Sequence, residues 1–183
     1  MSQSVRRSLH EQSRPRAPRA ADRVAPSGRS HLVAIHDHLR QELVQIREAV
    51  EAVAAGAADA AAARSVINDL TMRQNYWSLG AFCAGYCRVL GIHHTIEDER
   101  MFADLRRADD GLGPVLDRLS EEHEVIAALL TDLDDAVVAL VADPAALPGV
   151  RQAVDRLAEA LLSHLTYEEE ELVEPIERLG LLI

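Results

Sequence analysis

Two short segments of this chain, His93-His94-Thr95-Ile96-Glu97 and His164-Leu165-Thr166-Tyr167-Glu168, share one pattern: a histidine, a threonine two residues on, and a carboxylate four residues on. On an α-helix, positions i and i+4 lie one above the other on the same face, so each segment aims an imidazole and a carboxylate at one point. Each is half of a cation site.

The residues leading into each pair turn that face inward. Leu79, Phe82, Tyr86, Leu90, His93 and Glu97 step by three or four, as do Leu157, Leu161, His164, Glu168 and Leu172. An ionised carboxylate on such a stripe costs roughly several kcal/mol unless a counter-charge reaches it. The chain contains no lysine, and few arginines fall on these stripes. A metal ion is the expected counter-charge.

Four helices must position these groups. Ser30 caps a first helix over about residues 31–55, ending at Gly56, with the stripe Val33, His36, Leu39, Leu43, Ile46, Val50 and Val53. His31 and His38 fall off that stripe and are expected at the surface. An alanine-rich stretch leads through a short helix or turn near residues 65–70 into a second helix, about 72–107, which carries the first half-site. Gly111-Leu112-Gly113-Pro114 breaks the chain, and a third helix over about 114–142 has the stripe Leu116, Leu119, His123, Ile126, Leu130 and Leu133. Pro148-Gly149 opens a fourth helix, expected to stop at Glu174 before Pro175. Each helix thus carries an inward histidine, and an up-down arrangement brings His36 and His123 to His93/Glu97 and His164/Glu168 in one layer.

Four imidazoles and two carboxylates exceed what a tetrahedral zinc ion accepts. They suit two six-coordinate ions of borderline softness, bridged by the carboxylates and with open positions left over. On iron, open positions mean binding of O2, peroxide or NO.

Composition agrees. The 183 residues suffice for one well-buried domain, and a content of 3% aromatic and 48% hydrophobic residues, mostly Ala, Leu and Val, is that of a helical bundle. A net charge of −11 argues against a nucleic-acid partner for the folded part. Residues 1–29, rich in Arg and Pro, read as a disordered, solvated arm ahead of a bundle over 30–183; docking of that arm on nucleic acid is a weaker idea. Cys83 and Cys87 lie in an apolar helical run at a spacing that suits neither a structural disulfide nor a zinc knuckle. With no long apolar run and no hydrophobic signal core, the expected compartment is the cytoplasm, with no membrane partner. Asp98-Glu99 and Glu169-Glu170-Glu171 read as a solvated acidic face, while Tyr86 and Tyr167 either line a ligand pocket or pack with the hydroxyl at an edge.

Together, His36, HHTIED and MF within 93–102, EEH at 121–123 and SHLTYEEEELVEP at 163–175 resemble the hemerythrin-like, or HHE cation-binding, domains over about residues 31–180. The resemblance implies an all-α, antiparallel four-helix bundle and a non-haem diiron centre held by His36, His93, Glu97, His123, His164 and Glu168, with Glu97 and Glu168 as bridges. It also implies a small diatomic or peroxide ligand, or a role in sensing iron or oxygen. The oxygen carriers of the family have a further histidine one turn after the helix-three histidine, where this chain has Ala127. His94 is the nearest substitute, yet it sits about 100° from His93 around the helix. It therefore stays outside the expected set, as does His38. The competing expectation is a metal-stabilised interaction or regulatory module without turnover.

Overall fold

The computed structural model describes residues 14–18, 31–54 and 86–180. Helix α1 (His31–Ala54) forms where Leu32, His36, Leu39, Leu43, Ile46 and Val50 recur every three or four positions, and all six side chains are buried. Leu32, rather than the expected Val33, opens this stripe.

The second rod is not a plain α-helix. Helix α2 (Tyr86–Ile96) passes into a π-helical turn (Glu97–Met101) and then α3 (Phe102–Ala108). Within the turn the Phe102 amide donates to the Glu97 carbonyl five residues back. The inward stripe therefore runs Leu90, His93 and Glu97, then widens so that both Met101 and Phe102 are buried before Leu105. An unbroken α-helix would carry it on to Asp104, which is exposed. The extra residue keeps apolar side chains facing inward on both sides of Glu97.

A four-residue connection, with the Asp109 side chain accepting from the Gly111 amide, leads into α4 (Gly113–Ala142), whose first turn holds Pro114. A second short connection leads into α5 (Leu147–Leu179), which has Pro148 in its first turn. Connections this short make α3, α4 and α5 antiparallel neighbours in a four-helix bundle. Among the described residues there is no strand. No described helix is long and apolar enough to cross a membrane.

The end expected at Glu174 is corrected: α5 continues through Pro175 to Leu179 and stops at Gly180, whose φ of 62° lets its amide close on the Ile176 and Glu177 carbonyls. An interior proline costs about 3 kcal/mol relative to alanine. Here Pro175 and Ile176 are both buried, and that packing holds the last turns in place.

The buried apolar side chains divide into two clusters. The larger runs from Leu39 to Val50 on α1 and includes Leu90, Ile126, Leu130, Leu157, Leu161 and Leu165. The smaller includes Leu32, Met101, Phe102, Leu105, Leu116, Leu119, Tyr167, Leu172 and Ile176. Between them, on every rod, lie the histidines and glutamates singled out above.

Residues 14–18 fall within the stretch expected to be a solvated arm, yet they are seated on α4 and α5, with Ala17 buried in the smaller cluster. The Cys83/Cys87 pair, the Tyr86 side chain and the alanine-rich connection after α1 lie outside the described residues.

Leu161 is fully buried in the larger cluster, whereas its neighbour Leu162 is 36% exposed. Leu161→Ala is expected to lower the free energy of unfolding by about 2–5 kcal/mol in a urea titration, and Leu162→Ala by far less. Equal losses would show that the helix faces are assigned wrongly.

Candidate metal centre

The layer between the two apolar clusters contains seven side chains in two groups. His36, His93, Glu97 and Glu168 form one, and His94, His123 and His164 the other, with the candidate ligand atoms of each group lying within 4.8 Å of one another. All six residues expected from the sequence are buried here, so the structure brings the whole expected set together. His38 is not part of it: its side chain is 63% exposed, with Nε2 3.3 Å from Glu42.

His94, weighed from the sequence only as a substitute and left outside the expected set, stands in the second group. Its ring stacks on that of His123, with centroids 3.9 Å apart and planes 7° from parallel, and meets His164 edge-on at 5.4 Å. His93 and His94 straddle the inward direction of α2, so that one helix serves both groups. Their adjacency was the available signal. The third imidazole of the second group thus comes from α2, while Ala127 on α4 is exposed.

The donor chemistry fits divalent cations. Nε2 of His36, His93, His94, His123 and His164, and both carboxylate oxygens of Glu97 and Glu168, are buried and find no hydrogen-bond partner among the described residues. Most buried polar atoms in native interiors are paired, so nine unpaired ones gathered in a single layer call for a shared partner. Each carboxylate also reaches both groups. Glu97 places Oε1 3.1 Å from His93 Nε2 and Oε2 3.5 Å from His123 Nε2. Glu168 Oε2 lies 3.3 Å from His36 Nε2 and 3.8 Å from His164 Nε2.

Three imidazoles are held from behind by a second carboxylate. His36 Nδ1 is 2.9 Å from Glu169, His123 Nδ1 3.0 Å from Asp98, and His164 Nδ1 3.2 Å from Glu122. An acceptor at Nδ1 keeps the proton there and leaves the Nε2 lone pair facing the group. The acidic runs expected to be a solvated face are corrected accordingly. Asp98 and Glu169 stand behind the His123 and His36 rings, and Glu171 is buried, accepting from the Ala17 amide and from Arg16. Asp98, Glu99 and Glu170 are exposed as expected, although Asp98 also reaches the His123 ring. Tyr167 takes the packed alternative: it is buried, its hydroxyl donates to the Pro15 carbonyl at 2.7 Å, and burial together with nearby Glu171 pushes its pKa up to about 12.

Electrostatics follow from burial. It drives the pKa of His93 down to about 4 and lowers those of His94 and His123, which favours the neutral imidazole at neutral pH. Burial, with Glu168 and Asp98 close by, raises Glu97 well above the carboxylate range. Burial acts the same way on Glu168, but His36, His164 and His93 outweigh it and hold that carboxyl low. Without a cation the two acids are therefore pushed in opposite directions.

The family model of the hemerythrin HHE cation binding domain matches residues 27–176. The chain belongs to this family. Its hemerythrin-like fold and its cluster of His and Glu side chains agree in pointing to metal binding. No curated protein and no solved structure matches the chain significantly.

Neutral buried imidazoles make the metal-free bundle acid-sensitive. As pH falls from about 6.5 towards 4, the unfolded chain takes up protons that His93, His94 and His123 do not take up when folded, so stability falls. Glu97 opposes this, because its raised pKa stabilises the fold at low pH and that contribution is lost as pH rises through the raised value. Glu42, raised by burial, acts in the same sense as Glu97, while the lowered Glu122 and Glu168 add to the imidazoles' loss at low pH, so the net direction is destabilising. Chelator-treated protein is expected to melt at a lower temperature at pH 5 than at pH 7, followed by far-UV circular dichroism. An unchanged or higher midpoint at pH 5 would contradict the buried neutral histidines.

Proposed function

We propose that the chain is a non-haem diiron protein that binds or reacts with a small oxidant, O2, peroxide or NO. His36 and His93 would hold one ion, His94, His123 and His164 the other, and Glu97 and Glu168 would span the two. The observation that carries this reading is the convergence of five buried Nε2 lone pairs and two carboxylates, unsatisfied among the described residues, into two adjoining groups.

Several features favour iron over a purely structural zinc. Imidazole and carboxylate ligands suit borderline divalent ions of higher coordination number, whereas a structural zinc closes its shell with four ligands. Two divalent ions opposite two carboxylates leave net positive charge for an anionic or reducible ligand. Bound iron would supply Lewis acidity and electrons to that ligand. The chain's own contribution is to aim five imidazoles at the layer, to hold two carboxylates where each reaches both groups, and to keep bulk water out with the apolar clusters on either side. His93 and His94, at 9% and 6% exposure, are the least enclosed of the seven, so a small ligand would enter beside α2. A cytoplasmic setting with reduced iron suits this chemistry.

Protein grown without added zinc is expected to carry about two irons per chain, one for each group. It is also expected to develop a ligand-to-iron charge-transfer band on addition of azide or peroxide. His94→Ala and His123→Ala should each lower the iron content towards one per chain while leaving helix content in place. Stoichiometric zinc with no band would defeat the diiron reading and favour a metal-stabilised interaction module; a His94→Ala variant with wild-type iron content would remove His94 from the ligand set.

A further inference from the structure

The matched family region begins at residue 27, yet residues 14–18 are fastened to the bundle beside the metal centre. Every one of the five has an anchor. Arg14 lies 4.8 Å over the Tyr167 ring and donates to the Ser163 carbonyl at 3.2 Å. The Pro15 carbonyl accepts from the Tyr167 hydroxyl, and Arg16 reaches Glu170 and Glu171. The Ala17 amide donates to the buried Glu171 at 2.6 Å. Pro18 sits so close to Gly111 that a Cβ there would meet its ring at 2.9 Å, which only a glycine at that position avoids.

Arg14 does more than anchor. Its Nε donates to Glu122 Oε1 at 3.0 Å and its Nη2 to Glu122 Oε2 at 3.2 Å, a two-pronged grip on one carboxylate. The same Oε2 lies 3.2 Å from Nδ1 of His164, whose Nε2 faces the centre. Arg118, one turn before Glu122 on α4, adds a bond at 2.9 Å to Oε1 only. Arg118 can therefore supply charge, but the oxygen that orients His164 is held by Arg14.

We propose that Arg14–Pro18 is a strap belonging to the metal centre and that Arg14 is a positioning residue, acting through Glu122 to fix the tautomer and angle of His164. This rests on the reading of the two groups as metal-holding. Carboxylates behind a ligand imidazole typically change metal affinity by about 10- to 100-fold when lost. Coupling between sites is reciprocal, so a loaded centre also holds the strap down. Free strap exposes the Arg16–Ala17 bond to trypsin, and seated strap does not.

The test uses the full chain, titrated with Co(II) as an optical probe and compared with Arg14→Ala, Arg14→Lys and Glu122→Gln. Wild type is expected to take up about two equivalents. Arg14→Ala and Glu122→Gln should weaken one of the two by about tenfold or more and leave the other, with helix content unchanged. Arg14→Lys, which keeps the charge without the fork, should fall between. In metal-free wild type, long-range ¹H–¹⁵N spectra should show His164 as a single Nδ1–H tautomer that becomes mixed in Arg14→Ala, and Co(II) should slow tryptic cleavage at Arg16. Identical affinities in wild type and Arg14→Ala, or a loss of helix content that accounts for any weakening, would overturn the strap alone. A wild type that takes up no Co(II) would instead bring down the metal reading on which it rests.

Discussion

The structure is organised around a buried concentration of lone pairs. Five imidazole nitrogens and four carboxylate oxygens occupy the waist of a helical bundle, and the described residues offer them no hydrogen bonds. Such groups are costly in an apolar interior unless a cation shares them. That requirement explains why the core is split into two clusters, why a ring of further carboxylates stands behind His36, His123 and His164, and why Glu97 and Glu168 lie where each touches both groups.

Much of this was legible in the sequence, because helical periodicity constrains direction strongly. The stripes on α1, α4 and α5 and the paired His/Glu steps placed six of the seven clustered residues, and the short connections were marked by Gly111, Pro114 and Pro148. His94 escaped because stripe reasoning treats the inward direction as a line. A layer built for two ions has width, and two neighbouring residues each displaced by about 50° from the centre can both reach it. The backing roles of Asp98 and Glu169 escaped for another reason. A run of acids reads as solvated from composition alone, and only the assembled bundle shows which of them faces the back of an imidazole.

The strap and the π-helical turn were illegible for the same physical reason: both are tertiary effects. Arg14 and Glu122 stand 108 positions apart, and nothing local to either marks the other as its partner. Arginine and proline around residue 14 favour an unstructured chain, and that local preference is overridden by the anchors on α4 and α5. The widened turn at Glu97–Met101 likewise has no signature of its own, since it answers the need to present Glu97 to the centre and Phe102 to the His123 ring, whose centroids are 5.7 Å apart.

That turn also gives the second rod a tolerance the other rods lack. Dropping a residue from a regular α-helix swings everything beyond it by about 100°, which in α1 or α5 would pull one half of the bundle out of phase with the other. Between Glu97 and Phe102 the rod holds one residue of slack. Removal of a solvent-facing member, Glu99 or Arg100, would relax the backbone to ordinary pitch and leave Phe102 and Leu105 still in phase with His93. A one-residue deletion at that turn would therefore be absorbed within a few residues of Glu97 rather than passed down the rod.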